Sequence, residues 1–265
     1  MLRPMAEIAT PLVSLQGVTK VFTNGVMALA DFDLDVRPGE FLSLLGPSGC
    51  GKSTALRIIA GLSRPSSGGV TWPNAATQDH RGEIGFVFQD PTLMPWANVA
   101  DNVWLPSRLR GVSRDAAREN ISESLSLVGL KDFENAYPRE LSGGMRMRVS
   151  IARALSIKPK LLLMDEPFAA LDEITRFKLN DDLLKLQRDV GCTIVFVTHS
   201  VYESAYLSSR IAVMTPRPGR IAAEIEGVAQ GGRDMDFRTS TAYAELCRHV
   251  SRVMIDLTSN EGALS

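Results

Sequence analysis

The octapeptide Gly46-Pro47-Ser48-Gly49-Cys50-Gly51-Lys52-Ser53 constrains this chain more than any other segment. It follows the apolar run Phe41-Leu42-Ser43-Leu44-Leu45 and precedes a helical pattern reaching about Ala60. Strand, glycine-rich loop with terminal Lys-Ser, and helix together match a phosphate-binding loop. The glycines let backbone N–H groups curl around an anion, and the helix N-terminus adds partial positive charge. On this reading Gly46 to Ser53 and the following Thr54 cradle a nucleotide. Lys52 reaches its β- and γ-phosphates, and the Ser53 hydroxyl faces Mg²⁺. An apolar strand feeding such a loop belongs in an α/β domain.

A second segment points the same way. Leu161-Leu162-Leu163-Met164-Asp165-Glu166 is an apolar strand ending in two adjacent acids. Ligands of open α/β sheets sit at the C-terminal strand ends. Asp165 is therefore expected near Mg²⁺, and Glu166 facing a γ-phosphate, where it polarises the attacking water. A third segment, Leu141-Ser142-Gly143-Gly144-Met145, opens a helix ending near Ser156. Ser142 suits an N-cap, and two glycines leave first-turn N–H groups open to an anion. Glycines cost a helix about 1 kcal/mol each, so a helix that needed only a cap would not use both.

Around these segments the chain alternates. Leu12–Leu15 with Val18–Phe22 reads as one strand, followed by a turn at Asn24-Gly25. Ala28–Val36 reads as a second strand, closed by Pro38-Gly39. Residues 64–78 read as loop with short strands, and Ile84–Phe88 as a further strand ending at Gln89. Helical spacing then runs from Val99 to about Val128, and Gly143–Ser156 forms another helix. Lys160–Met164, Thr193–Val197 and Ile211–Met214 read as strands, alternating with helices Arg176–Val190 and Val201–Ser208. That alternation predicts a parallel sheet. Residues 216–219 form a turn, 227–232 a loose linker, and Ala242–Leu257 an amphipathic helix.

The phosphate loop, Gln89, Leu-Ser-Gly-Gly, Asp165-Glu166, Ala170-Leu171-Asp172 and His199 occur in the order and spacing of the ATP-binding cassette family, which the chain resembles over roughly residues 12–225. The resemblance implies an α/β fold with a P-loop NTPase (RecA-like) core and parallel sheet, an antiparallel β subdomain and an all-helical insertion. Divided accordingly, residues 12–231 form the ATPase domain, with 90–158 as the helical subdomain, and 232–265 a helical tail. The implied activity is ATP hydrolysis in a head-to-tail homodimer, coupled to transport. Ser142, Gly143 and Gly144 of one copy would meet ATP on the phosphate loop of the other, with Asp172 at the dimer contact. Gln89 matches a glutamine reaching Mg²⁺ and the attacking water. His199 matches a histidine touching the γ-phosphate, and Phe22 an aromatic ring stacked on adenine. Two positions depart from the usual pattern: Met147, where glutamine is usual, and Ser200, where aspartate is common. Both are expected beside the nucleotide.

Residues 89–96 and 214–221 resemble importer cassettes of the nitrate/sulfonate/taurine type, some of whose relatives serve pyrimidine or vitamin precursors. The implied partners are a membrane permease and, indirectly, a periplasmic or lipoprotein solute-binding protein. The implied place is the cytoplasmic face of the cell membrane. Net charge is −1, which supplies no general pull toward nucleic acid. Cassettes serving DNA repair or translation carry a long coiled-coil insertion or a tandem cassette, and neither is present. A non-hydrolysing scaffold would have lost Glu166 or His199. Three scattered cysteines offer no disulfide framework. Pro4, Glu7 and the lack of a long apolar core argue against a signal peptide, and no run approaches the roughly 20 apolar residues of a membrane span. Two finer expectations concern single side chains. Cys50, at a helix N-terminus beside Lys52, should have a lowered thiol pKa. Trp96, in the apolar loop Leu93-Met94-Pro95-Trp96, should either meet a permease helix or pack beneath the helical insertion.

Overall fold

Two sheets share the work of positioning the phosphate loop. The computed structural model describes residues 10–73, 81–228, 233 and 235–259. Residues 74–78 of the expected loop, 229–232 of the expected linker, and Pro4 and Glu7 lie outside that set. In chain order the elements are β1 (Val13–Val21), β2 (Met27–Val36), β3 (Phe41–Leu45), α1 (Lys52–Ile59), β4 (Ser67–Thr71) and β5 (Ile84–Val87). Then come α2 (Val99–Leu109), α3 (Arg114–Leu127), α4 (Gly143–Leu155), β6 (Leu161–Asp165), α5 (Glu173–Val190), β7 (Thr193–Thr198) and α6 (Val201–Leu207). The chain closes with β8 (Arg210–Met214), β9 (Ile221–Glu226), α7 (Met235–Arg238) and α8 (Thr241–Ser259).

The smaller sheet is antiparallel, in the order β2-β1-β4. The larger runs β5-β6-β7-β3-β8-β9. Every residue of β3, β6, β7 and β8 is buried, as strands covered on both faces require. The period-two alternation divides them between two cores. Leu162, Met164, Ile194 and Phe196 pack with the helices α2 to α5. Leu161, Leu163, Val195 and Val197 pack with α1 and the smaller sheet. Neither sheet face can be stripped without exposing one of these cores.

Several expectations are corrected. The larger sheet is mixed, because β9 joins its edge antiparallel to β8. The helical stretch from Val99 to Val128 breaks in two: Gly111 takes a left-handed φ of 77°, and the Ser113 hydroxyl then caps α3 by accepting from Ala116 N–H at 3.2 Å. Gly227, expected in a loose linker, donates its N–H to Ser209 O at 2.8 Å. The C-terminal helix expected from its amphipathic pattern packs on the larger sheet. Leu246, Cys247 and Val250 of α8 share a core with Ala205, Ile211 and Val213. Arg238 bonds Asp181 of α5 at 2.7 Å and lies 3.5 Å from the centre of the Tyr206 ring. No described helix is long and apolar enough to cross a membrane.

Candidate active site

The strand order places the chemistry. β6, β7 and β3 are neighbours, with Asp165 paired to Val197 and Thr198 to Leu45. Their C-terminal ends are therefore level, and the phosphate loop, Asp165-Glu166 and His199 emerge side by side. β5 lies beyond β6, with Val87 paired to Met164, so Gln89 leaves its strand on the same rim. It is exposed.

The loop is tight. Gly51 precedes α1 with φ 109°, and a Cβ there would stand 2.7 Å from Ala28 O, so only glycine serves at this position. Lys52 is buried. Its ammonium donates to Gly46 O and Pro47 O, each at 2.9 Å, and lies 3.8 Å from Glu166 Oε1. Ser53 Oγ donates to Asp165 Oδ1 at 2.7 Å. Burial pushes the Asp165 carboxyl up, against that hydrogen bond and the charge of Arg57. His199 Nδ1 lies 3.3 Å from Glu166 Oε2. Glu166 has φ 46°, in the left-handed region, and its N–H is held by Val197 O at 3.1 Å. A non-glycine residue in that region is strained, and such strain gathers at functional sites.

Phe22, Val26, Ala28, Gly49, Gly51, Lys52, Ser53, Thr54, Glu166 and Arg217 line one open cleft of about 280 Å³. Phe22 is 43% exposed at its wall. Of the expected phosphate-loop residues, Ser48 is exposed, while Gly46 and Cys50 are buried, and none of the three lines the cleft. The expectation of a lowered Cys50 pKa is overturned. The thiol is 1% exposed, and burial raises it more than Lys52, 3.9 Å away, lowers it.

Ser142, Gly143 and Gly144 are not among the residues lining this cleft. Ser142 caps α4, accepting from Met145 N–H at 3.2 Å. The paired glycines differ in what they permit. A Cβ on Gly144 would meet Thr175 Cγ2 of α5 at 2.8 Å, whereas one on Gly143 would come no nearer than 3.5 Å, to Leu171 Cδ2. Close helix packing therefore explains Gly144, and only Gly143 is free of that reason. Asp172 caps α5, accepting from Thr175 N–H at 2.9 Å, and this bond lowers its pKa.

The two departures take structural roles. Met147 is buried among α2 to α5, away from the residues that line the chain's own cleft. Ser200 caps α6, accepting from Glu203 N–H at 3.3 Å. Glu203 itself was missed. It receives the Thr198 hydroxyl beneath His199, and burial raises its pKa. Its signal was the spacing Ser200-x-x-Glu203, a capping-box pattern. Arg217 was missed as well, because only the tertiary fold brings its loop to the cleft. Trp96 is 78% exposed, so it does not pack beneath the insertion; Leu93 does.

Asp165 and Ser53 offer hard oxygen donors at one point, which suits Mg²⁺ held jointly with phosphate oxygens. Among the described residues no group of three or more His, Cys, Asp or Glu could hold a metal unaided.

Known proteins resemble this chain in sequence and fold. The sequence profile of the ABC transporter family matches residues 29–169. An uncharacterized ABC transporter ATP-binding protein of Methanocaldococcus jannaschii is 43% identical over 247 residues, covering 92% of this chain and 91% of its own. A taurine import ATP-binding protein of Jannaschia sp. is 44% identical over 88% of this chain and 89% of its own. A solved dimeric ATP-binding cassette, bound to ADP and phosphate after hydrolysis, superposes with a TM-score of 0.70 at 36% identity. It covers 81% of this chain and 98% of that one.

Proposed function

The chain belongs to the ABC transporter family, and from that premise we propose that it is the ATP-hydrolysing subunit of a solute importer. The observation that carries the reading is one cleft lined by Lys52, Ser53 and Glu166, with Asp165 bonded to Ser53 and His199 beside Glu166. Phe22 forms the adenine wall, and Gly46 to Thr54 hold the phosphates. Lys52 neutralises charge on the β- and γ-phosphates, and its present contacts with Gly46 O and Pro47 O hold it ready for them. Ser53, Asp165 and Gln89 would hold Mg²⁺. When bound, that ion would supply neutralisation of the negative charge on the polyphosphate.

Glu166 accepts a proton from the attacking water. His199, 3.3 Å from its carboxylate, orients that carboxylate and faces the γ-phosphate. Ser142, Gly143 and Gly144 act on the ATP of a second copy, with Asp172 at the contact. Their separation from the chain's own cleft supports this division. Exposed Trp96, just beyond Gln89, forms part of the seat for a membrane permease at the cytoplasmic face of the membrane. The solute on this reading is small, of the nitrate, sulfonate or taurine kind or a vitamin or pyrimidine precursor, and is delivered by a separate binding protein. Likeness to a taurine import subunit supports the taurine kind.

The test is co-expression with a candidate permease and uptake of labelled solute into vesicles. Uptake should require MgATP and fall with Trp96→Ala by a hot-spot-sized factor of about 30, while the isolated subunit keeps its ATP affinity and melting temperature. Uptake indifferent to ATP would sink the importer reading.

A further inference from the structure

We propose that Arg217 is a second cationic contact for the nucleotide, held over the phosphate loop by a loop built for that purpose. The proposal rests on reading the cleft as an ATP site. Arg217 lies between β8 and β9 and lines the cleft together with Ala28 of β2. Its Nε donates to Gly49 O at 3.1 Å. Among the described residues the structure gives it no other hydrogen bond and no carboxylate partner. One neutral carbonyl uses one of five guanidinium donors. The remaining donors and the whole charge stay available at the mouth of a cleft that otherwise carries Lys52 and Glu166.

The loop is fixed in place. Thr215 N–H donates to Arg220 O at 3.0 Å, and the Thr215 hydroxyl donates to Pro218 O at 3.1 Å while accepting from Arg220 N–H at 3.0 Å. Gly219 bonds β2 twice, donating to Ala28 O at 2.9 Å and accepting from Ala30 N–H at 3.2 Å. β2 also supplies Ala28 to the cleft wall. Below the loop, Arg210 ties β8 to Glu40 at 2.7 Å and to Glu224 of β9 at 2.8 Å. A side chain that only covered the surface would not require so firm a base. Arg217 thus does two things: it positions the phosphate loop through Gly49, and it offers positive charge to the bound polyphosphate.

Fluorescent ATP binding to the full chain, at low and high salt, separates these roles from a purely structural one. Arg217→Ala should weaken binding about tenfold at low salt, and the loss should shrink at high salt as exposed charge is screened. Arg217→Lys keeps the charge but loses the Nε bond to Gly49, and should recover most of the affinity. Melting temperatures should match the parent. Affinity within twofold of the parent for Arg217→Ala would overturn the proposal. So would a lysine variant as weak as the alanine one with no salt dependence, since that pattern marks a structural prop. Lys52→Ala serves as the control for the underlying reading. If it also binds ATP normally, the cleft is not the ATP site; if it fails to bind while Arg217→Ala is unaffected, only the role of Arg217 is lost.

Discussion

The phosphate-loop rim and the Ser142–Gly144 turn are built from the same kinds of residue, yet only the first is wired for chemistry within its own chain. At the rim, Ser53 already bonds Asp165, and Glu166 stands within reach of both Lys52 and His199. At the turn, Ser142 closes a helix end and Gly144 permits a close approach of α5, and nothing there meets the chain's own cleft. On the proposed reading, folding alone assembles the rim, and the turn acts only once a second molecule is present. Rim substitutions should therefore change chemistry or affinity directly, while turn substitutions should change it only through a partner.

The largest effect is expected at Glu166. Glu166→Gln removes the proton acceptor and should lower turnover at least about a hundredfold, with ATP binding retained. It also removes a negative charge facing the γ-phosphate, so a dimer should persist on size-exclusion chromatography in MgATP. Turnover within a few-fold of the parent would remove Glu166 from the mechanism.

The paired glycines sharpen the contrast next. Gly144→Ala places a methyl 2.8 Å from Thr175 Cγ2, and overpacking of this kind costs about 1–3 kcal/mol. Gly143→Ala has room and gains helix propensity, by up to about 1 kcal/mol. Thermal melting should therefore move in opposite directions for the two, and equal shifts would contradict the packing role assigned to Gly144.

Cys50 tests the interior of the rim. Its thiol is buried with a raised pKa, so maleimide should label it slowly at neutral pH, faster as pH rises, and readily once the chain is unfolded. Rapid labelling of the native protein that Cys50→Ala abolishes would show that the loop opens.

The smallest effect is at Asp172. Its folded pKa is lowered by the cap to Thr175, so its contribution is present above the unfolded-state carboxylate pKa and disappears as pH falls through the lowered value. Asp172→Ala should melt below the parent at neutral pH, and the gap should close in acid.

What was legible in the sequence follows how local each cause is. The strand Phe41–Leu45, its loop and helix α1 are contiguous, so composition and spacing carried them. The break at Gly111-Val112-Ser113 was hidden because helical periodicity continued on both sides of it. Strand β9, Ile-Ala-Ala-Glu-Ile-Glu, was missed because an edge strand with one residue buried lacks the apolar run that marked the others. Arg217 and Gly144 depend on which elements pack together, and no local pattern states that Thr175 or Gly49 will be their neighbour. Cys50 misled for a related reason: the helix terminus and Lys52 are visible in the sequence, but the burial that outweighs them is not.

The central claim is that two copies each supply half of a composite ATP site. Ser142→Arg spoils the turn without touching the packed Gly144, and Lys52→Ala spoils the phosphate loop. In a head-to-tail dimer each variant alone has two damaged sites, whereas a mixed dimer has one site damaged twice and one intact. ATPase activity of the separate variants and of their equimolar mixture is the direct measurement. The account predicts little activity from either alone and recovery on mixing. A Ser142→Arg variant that hydrolyses ATP at the parent rate, or a mixture no more active than its parts, would contradict it.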